Sequence, residues 1–315
     1  MKHQSFPLGI DLGTTGIRIA EIVGPEPLVR NIVTKTLPPQ ASEQHIIQTL
    51  EFLLKQLQTK ERRCIITCDD RHAIVRELSL PPMARHERLQ AARIETQRLR
   101  NTDQPSSVRL ERLAENRFVL GSIFDSAIER LQRIMRKTKL RLLAVDHASY
   151  AFRRIHQPCD AILDIGFEQT RFYGFTAQVP FTQSLDIAGN SFTQAIATLF
   201  AIDQESAESR KRLHGIAPAG DGEIAAIVQF VGRAIRAARA SGSGEIERIL
   251  LTGNGARLPM LPLRLERDTG CLVEIATRFH GCQIAFADDL VRTAAPEWAL
   301  ACGAALWSFA ENPGT

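Results

Sequence analysis

Two segments at corresponding places in the two halves of the chain resemble each other. Residues 8–22 read LGIDLGTTGIRIAEI, and residues 161–175 read AILDIGFEQTRFYGF. Each is an apolar strand that reaches Asp-x-Gly, then a polar turn, then a second apolar strand that starts at an arginine, Arg18 or Arg171. Similarity between the two halves of a chain indicates duplication. The pattern therefore predicts two domains of one fold, each with a β-hairpin.

Helices and strands alternate after each hairpin. Residues 45–57 place apolar side chains on one helical face and lead into a strand pattern at 62–68. Residues 223–240 form a second amphipathic pattern, which leads into a strand pattern at 246–253. This alternation predicts an α/β architecture. At 315 residues, the chain is long enough for two such domains.

A basic stretch at residues 80–141 interrupts the alternation. It contains a predicted helix at about 84–100, two predicted strands around Asn116, and a second helix for which Asp125 is a suitable N-cap. We interpret it as a small inserted α+β subdomain. Residues 81–141 hold 14 Lys and Arg against 7 Asp and Glu. This excess favours an acidic partner, such as an anionic membrane surface or an acidic peptide, although a solvated helix face has the same composition.

Several classes of protein are disfavoured. No nucleic-acid-binding motif accompanies the basic stretch, so a nucleic-acid partner is not expected. No run approaches the roughly 18 apolar residues of a membrane span, and the N-terminal segment lacks a signal-peptide core. The six cysteines are scattered without C-x-x-C spacing, which is typical of buried thiols in a reducing compartment. We expect a cytoplasmic protein.

The first hairpin has the residues that a triphosphate requires. Gly13 and Gly16 let the backbone come close to a ligand, so that N–H groups can point at its oxygens. Thr14 and Thr15 add hydroxyl donors, and Asp11 is placed to hold a hydrated Mg²⁺. A plain turn remains the alternative interpretation of this motif.

Two further segments are candidates for the same ligand. In the second hairpin, Asp164 is placed to share the water shell of the metal, and Gly166 and Thr170 are placed to approach the outer phosphates, although FEQT is a poorer phosphate cradle than a Gly/Thr run. The segment LLTGNGARLPML (250–261) places the glycines of Gly253-Asn254-Gly255 between a strand and an apolar helix, where the backbone can pack on a flat base.

The order and spacing of these three elements resemble the actin-like ATPases, whose RNase H-like domains are duplicated around an interdomain nucleotide cleft. The resemblance implies that ATP and Mg²⁺ bind there, with Arg18 at the first hairpin. The connecting helices of that group correspond to residues 146–154 and 296–307, where Ala148, Gly303 and Ala304 permit close crossing. By position, Asp146 resembles the catalytic acid of the heat-shock chaperones in that group.

Within this group, the chain resembles the type IV pilus assembly protein PilM over nearly its whole length. The resemblance is carried, in chain order, by LPPMARHERLQAARIETQ, AVDHASYAF, IAGNSFTQAIATLFAIDQESAESRKRLHG, LLTGNGARLPML and APEWALACGAAL. Glu208 and Lys211 match the pair that lies beside the ribose and base in this family. Residues at i and i+3 share a helix face, so an exposed intrahelical salt bridge is the alternative interpretation.

The resemblance implies a domain plan and a partner. The expected domains are residues 1–155 with the insert at about 80–141, residues 156–295 with a helical subdomain at about 203–243, and a C-terminal helix at 296–315 that returns to the first domain. The implied function is a cytoplasmic ATP-binding scaffold at the inner face of the inner membrane. It would bind the N-terminal cytoplasmic tail of a PilN-like single-span protein, in a groove between the first domain and the insert.

Three alternatives remain open from the sequence. An MshI-like protein of mannose-sensitive haemagglutinin pili would share nearly all of these features. A small-molecule kinase of the sugar-kinase type would need a catalytic aspartate and a substrate pocket, for which no convincing set of residues is visible. A nucleotide-free scaffold is suggested by the FEQT turn and by Asn254, which stands where the family usually has glycine.

Overall fold

The computed structural model describes residues 6–38, 40–69, 71–156, 158–242, 244–286 and 288–307, with the backbone alone for 288–293. The strands, in chain order, are β1 (Leu8–Gly13), β2 (Gly16–Val23), β3 (Leu28–Thr36), β4 (Arg63–Cys68), β5 (Ala73–Ser79), β6 (Ser106–Ala114), β7 (Arg117–Phe124), β8 (Arg141–His147), β9 (Ala161–Ile165), β10 (Thr170–Gly174), β11 (Phe181–Leu185), β12 (Arg248–Thr252), β13 (Leu272–Ile275) and β14 (Gln283–Ile284). The helices are α1 (Glu43–Leu57), α2 (Arg85–Arg100), α3 (Asp125–Lys137), α4 (Ala148–His156), α5 (Gly189–Phe200), α6 (Gln204–His214), α7 (Asp221–Ala240), α8 (Leu261–Thr269) and α9 (Asp288–Ala305), with a 3-10 helix at Asn254–Arg257.

The two larger sheets share one topology. The first has the order β14-β3-β2-β1-β4-β8, and the second has the order β11-β10-β9-β12-β13. In the first sheet, β2 pairs antiparallel with both β1 and β3, whereas β4 pairs parallel with both β1 and β8. In the second sheet, β10 pairs antiparallel with both β9 and β11, whereas β12 pairs parallel with both β9 and β13. Apart from the short β14, the strand order and directions are the same, as the sequence repeat predicts.

The described residues form two compact units. The first holds the residues up to Ile155, together with Gly281–Ala285 and those from Leu300 onward. The second holds His156–His280 and Phe286–Ala299. Helix α9 therefore contributes to both units. It begins eight residues before the predicted start at 296, and residues 308–315 of the predicted C-terminal segment lie outside the described residues.

The core of the first unit is formed by the apolar faces that the sequence pattern predicts. Leu50 and Leu53 of α1 are fully buried in one cluster with Ile10 of β1 and Ile17 of β2. Each side chain of this kind stabilises the fold by about 1.5–3 kcal/mol when it is removed from water. The helix begins at Ser42, whose hydroxyl accepts a hydrogen bond from the His45 N–H at 3.3 Å.

The inserted subdomain differs in its bounds from the predicted insert at 80–141, because it starts earlier and does not include α3. Its strand order is β5-β7-β6, and β5 precedes residue 80. Helix α2 packs beside β6, whereas α3 buries Leu131, Ile134 and Met135 in the core around α1. Asp125 is not the N-cap of α3. The cap position is Phe124, and the Asp125 carboxylate instead accepts a hydrogen bond from Ser107 Oγ at 2.7 Å.

The core of the second unit is centred on α7, the helix predicted at 223–240. Ile227 and Val231 are fully buried in one cluster with Leu163 of β9 and Leu251 of β12. The loops at the ends of β9 and β12 are therefore anchored on a packed core. These loops carry the second hairpin turn and the third candidate segment.

Within the first unit, α9 packs very closely on its neighbours. A Cβ on Gly303 would stand 2.1 Å from the Ala151 carbonyl oxygen of α4. Only glycine allows the two helix backbones to approach this far, as the sequence predicted for this position.

The predictions about membrane spans and cysteines can be compared with the described residues. In that part of the chain, no helix has both the length and the apolar character needed to cross a bilayer. All six cysteines are free thiols. Burial raises the pKa of Cys64 and Cys282 to about 12, so these thiols stay protonated and unreactive.

Candidate functional site

The first hairpin is the tight turn that its sequence predicts. Gly13 pairs with Gly16, which leaves Thr14 and Thr15 at the tip. The Leu37 N–H donates to the Thr15 carbonyl at 2.8 Å and holds the turn from the side. Both threonines are partly exposed, so this turn can present backbone and hydroxyl groups to a ligand.

A buried ion pair lies at the base of this turn. The register places Asp11 directly opposite Arg18, and Arg18 Nη1 lies 3.1 Å from Asp11 Oδ2. The same nitrogen lies 3.3 Å from the place where a Cβ on Gly13 would stand. The guanidinium therefore lies against the turn at the glycine of the Asp-x-Gly motif.

The second hairpin repeats this arrangement. Asp164 lies opposite Arg171, and Arg171 Nη1 is 3.7 Å from Asp164 Oδ2. That nitrogen also lies 3.9 Å from the Cβ position of Gly166. The Gly166 N–H donates to the Gln169 carbonyl at 3.0 Å and closes the turn. The internal repeat thus extends from the strand order to an aspartate–arginine pair in each hairpin.

A chain of polar contacts holds the second arginine. Arg171 Nη2 donates to Gln169 Oε1 at 2.9 Å, and Gln169 Nε2 donates to Asp186 Oδ1 at 2.7 Å. On the other side, Thr252 Oγ1 donates to Asp164 Oδ1 at 3.3 Å. The network connects β9, β10, the end of β11 and β12. Arg171 and Asp186 are not among the site residues predicted from the sequence.

Helix α5 begins directly on the second hairpin turn. The N–H groups of Gly189 and Asn190 donate to the carbonyls of Gly166 and Phe167, at 3.0 and 2.7 Å. These two N–H groups at the N-terminus of α5 are therefore already used in hydrogen bonds within the protein. The packing here is tight, because a Cβ at position 189 would stand 3.1 Å from the Gly166 carbonyl oxygen.

The Thr170 hydroxyl already has a partner within the protein, and a role for this residue beside the outer phosphates stays a prediction. Its side chain is fully buried, and its hydroxyl donates to the Ile187 carbonyl at 2.7 Å. A phosphate oxygen needs a donor, and this donor is already used. Thr170 instead attaches the start of β10 to the segment that enters α5.

The third segment packs tightly on β9. Gly253 has a φ of +78°, and a Cβ there would stand 2.6 Å from Asp164 Oδ1. A Cβ on Gly255 would stand 2.2 Å from Ile165 Cγ2. Both glycines are therefore required by the contact between this loop and β9. This requirement holds whether or not the loop faces a ligand.

Asn254, between these glycines, has a partner that the sequence analysis missed. In the orientation that satisfies both groups, its side-chain amide donates to both carboxylate oxygens of Glu297 at 3.0 Å. The polar side chain in place of a third glycine therefore connects the loop to α9 within the second unit. Glu297 lies 43 residues downstream, so no local signal identified it.

Glu208 and Lys211 lie on α6 and form an ion pair at 2.6 Å. It is more than the exposed intrahelical bridge that we considered. Lys211 Nζ also donates to the Gly189 carbonyl and to Thr193 Oγ1, both at 2.8 Å. Thr193 in turn donates to Glu208 at 2.7 Å. Burial alone would raise the pKa of Glu208, but the hydrogen bonds from Lys211 and Thr193 hold it below the ordinary value. The pair connects α6 to the first turn of α5.

Asp146, the predicted catalytic acid, is the penultimate residue of β8 and precedes α4. Its buried carboxylate forms an ion pair with Arg154, whose Nε donates to the Gly303 carbonyl at 2.9 Å. Burial raises the pKa of Asp146, and Arg154 opposes that rise. This arrangement attaches the end of β8 to α4 and α9, which favours a structural role. Catalysis by Asp146 stays a prediction.

The Mg²⁺ site that the sequence predicts at Asp11 and Asp164, through water, stays a prediction. Each carboxylate is paired with an arginine, and a divalent cation would have to bind beside that positive charge. Within the described part of the chain, no three His, Cys, Asp or Glu side chains come together as a metal-binding group. Mg²⁺ usually keeps several waters and binds through one or two carboxylates together with substrate phosphates, so it does not need a cluster of three side chains.

Two units with one strand order, each opened by an Asp-x-Gly hairpin, define the fold as that of the actin-like ATPases. A sequence model of the type IV pilus assembly protein PilM matches residues 123–309, which is more than half of the chain. The chain belongs to this family.

The chain is also similar to several solved structures. A chain of the PilM-PilN type IV pilus biogenesis complex superposes with a TM-score of 0.85 at 22% identity, over 95% of this chain and 97% of that one. The ethanolamine utilization protein EutJ from Carboxydothermus hydrogenoformans gives 0.61 at 15% identity, over 96% and 90%. Component A of (R)-2-hydroxyglutaryl-CoA dehydratase from Acidaminococcus fermentans gives 0.51 at 12% identity, over 98% and 99%. At these identities the likeness concerns the fold. Among curated proteins, no match was found.

Proposed function

We propose that this chain is an ATP-binding scaffold of type IV pilus assembly that binds the cytoplasmic tail of an inner-membrane partner. The observation that carries the proposal is the first hairpin, in a member of the PilM family. Its Gly13–Gly16 turn is tight, partly exposed at Thr14 and Thr15, and flanked by the Arg18 guanidinium. A turn of this kind, with backbone N–H groups and a cation at one place, is a suitable anion-binding element.

The partner is inferred from a different observation. The solved structure to which this chain is similar at a TM-score of 0.85 is a PilM-PilN complex. By that likeness, the partner here is a PilN-like protein, and its N-terminal tail lies in a groove between the first sheet and the inserted sheet of the first unit. This proposal places the chain in the cytoplasm, at the inner face of the inner membrane.

The charge of the basic stretch supports such a location. Arg130, Arg136, Lys137 and Lys139 are exposed on and just after α3, and Arg133 is paired with Glu43 of α1. A concentration of exposed cations on one helix favours an anionic neighbour, either the acidic part of a tail or the lipid surface beside it.

The proposed role of ATP is to bias the conformation of the chain. A ligand that binds one arrangement of the protein more tightly than another shifts the population toward it, and hydrolysis is not needed for this effect. Because Asp146 is paired with Arg154, we expect ATP hydrolysis to be slow at most. Nothing in the described residues favours a small-molecule kinase, which would require a catalytic carboxylate free to act on a substrate.

The proposal is tested first by thermal denaturation of the full chain with increasing ATP, with adenosine as the ligand control. Binding to the native state alone stabilises it by about 2.7 kcal/mol at a hundredfold excess over Kd. We expect ATP, and not adenosine, to raise the melting temperature, and Arg18→Gln to weaken the effect. Arg63→Gln is the matched control, since Arg63 forms an ion pair with Glu61 in the same unit.

A second experiment tests the partner. The N-terminal tail of the PilN-like protein from the same organism is immobilised as a peptide, with a scrambled peptide beside it. We expect the chain to be retained by the native peptide only. No retention would contradict the partner assignment, and an unchanged melting temperature with ATP would favour the nucleotide-free scaffold instead.

A further inference from the structure

One face of the first unit carries a concentration of exposed cations. Arg130, Arg133 and Lys137 follow one another at i, i+3 and i+7 along α3, so they lie on one side of the helix. Another side of α3 is buried in the core around α1. After α3 the chain turns directly into β8, which begins at Arg141. This surface, termed the basic face, consists of six exposed residues, Arg130, Arg133, Arg136, Lys137, Lys139 and Arg141.

Acidic side chains are too few to neutralise the basic face. Between residues 129 and 141 the sequence holds one acidic residue, Glu129. Glu43 of α1 accepts hydrogen bonds from Arg133 Nε and Nη2, both at 3.0 Å. These bonds lower the pKa of Glu43, and the charges of Lys137 and Arg130 lower it further, so three cations lie around one carboxylate. With Glu43 and Glu129 counted against the six cations, four positive charges remain in excess.

The basic face lacks the apolar anchor that a bound peptide needs. Peptides and proteins bind mainly through a few aromatic, aliphatic or arginine side chains that become buried at the centre of the interface. Of the large apolar side chains that are exposed in the described part of the chain, none lies between residues 125 and 141. An anionic lipid surface, in contrast, attracts each nearby Lys or Arg by charge and requires no pocket. The composition of the face therefore favours lipid headgroups over an acidic peptide.

We propose that the basic face docks directly on the anionic lipid surface of the membrane that holds the partner. The inference rests on the proposed location at that membrane. It requires neither ATP nor the tail, so it can fail while the binding of both is correct.

The strength of this contact follows from the charge excess. Each Lys or Arg near an anionic surface strengthens binding by about fivefold, so an excess of four charges gives a factor on the order of several hundred. Stable membrane attachment takes two such signals. The lipid contact therefore acts together with the tail, because a tail that holds the chain close to the surface raises the effective concentration of the lipid.

The direct test is sedimentation of the full chain with an excess of vesicles, without partner or nucleotide. One set of vesicles is phosphatidylcholine alone, and the other is an equal mixture of phosphatidylcholine and phosphatidylglycerol. We expect binding to the mixed vesicles only, and weaker binding at high salt because exposed charges are then screened. No binding to the mixed vesicles at low salt, or equal binding to both sets, would overturn the inference. The ATP and tail experiments above test the proposed function separately.

A double variant assigns the binding to the basic face. Lys137→Gln with Lys139→Gln removes two charges, and we expect it to weaken binding to the mixed vesicles by about 25-fold. The matched control is Arg233→Gln with Arg236→Gln, which removes two exposed cations from α7 in the second unit. The control should bind as tightly as the wild type. Equal weakening in the two double variants would show that net charge alone is responsible, and it would overturn the inference.

Two further readouts separate a lipid contact from folding and from peptide binding. Lys137→Arg with Lys139→Arg keeps both charges and should bind as the wild type does, and the melting temperatures without vesicles show whether the variants are folded. A folded glutamine variant that binds the mixed vesicles as tightly as the wild type would exclude the basic face. If that variant instead lost only its retention by the immobilised tail peptide, the face would belong to an acidic peptide and the inference would be wrong.

Discussion

Replacing Gly253 by alanine tests the contact between the third loop and β9. At this residue, where β12 ends and the 3-10 helix begins, φ is +78°. A Cβ would stand 2.6 Å from both Asp164 Oδ1 and the Ile165 carbonyl oxygen. The Ile165 carbonyl belongs to the backbone of a central strand, so the loop rather than the strand must move. The movement would also disturb Asp164 and its contact with Thr252.

The size of the effect follows from two separate terms. A residue with a Cβ in the left-handed region costs about 1–2 kcal/mol, and forced overpacking costs about 1–3 kcal/mol. Both terms act at Gly253. Only the first acts at Gly270, where φ is +72° and nothing lies within 4 Å of a Cβ. We therefore expect Gly253→Ala to lower the free energy of unfolding by about 2–5 kcal/mol and Gly270→Ala by about 1–2 kcal/mol.

The assay is equilibrium denaturation of both variants and the wild type, followed by far-ultraviolet circular dichroism. Both glycines lie in the second unit, so the same transition reports on both. The lower entropy of alanine in the unfolded chain acts equally on the two variants and cancels in their difference. Equal destabilisation of the two variants would refute the close packing of this loop on β9.

Two further predictions concern charged groups. Lys211→Met removes the two contacts of Lys211 with α5 and its ion pair with Glu208, so we expect a loss of about 1–3 kcal/mol in thermal denaturation. Arg98→Met, in an exposed pair, is the control and should change stability by less than about 1 kcal/mol. Burial raises the pKa of Glu61, but the hydrogen bonds from Arg63 outweigh it and lower that pKa from 4.5 to about 2. The ionised Glu61 carboxylate therefore contributes fully to stability above pH 4.5, and this contribution is lost as the pH falls toward 2. The measurement is the free energy of unfolding of the wild type and of Arg63→Gln over that pH range. An Arg63→Gln chain whose stability fell as steeply as that of the wild type would contradict the role of Arg63.

Much of the hairpin geometry was accessible from the sequence. Asp-x-Gly, a short turn and an arginine are local features, and the length of the turn determines which residues face each other across a hairpin. With Thr14 and Thr15 at the tip, Asp11 must lie opposite Arg18. The aspartate–arginine pairing therefore could have been predicted, but we interpreted Asp11 at the strand end as a ligand of hydrated Mg²⁺.

Contacts between distant segments could not be predicted. Lys211 reaches Thr193 and the Gly189 carbonyl only because α6 packs beside α5. Glu297 meets Asn254 through the course of α9. Such partners depend on tertiary packing, which overrides what local spacing suggests. The insert differs from its predicted bounds for the same reason, because α3 buries its apolar residues in the core around α1.

If ATP biases the conformation of the chain and the tail binds one conformation better, ATP binding and partner binding must be coupled. The most direct measurement is the affinity of the PilN-like tail peptide for the full chain, with and without saturating ATP. Coupling between two sites typically changes affinity by a factor of about 5–150, and the effect is reciprocal. We predict a change of at least about fivefold in tail affinity, with the same factor in ATP affinity when the tail is present. A tail that binds equally well with and without ATP, or does not bind at all, would contradict the account.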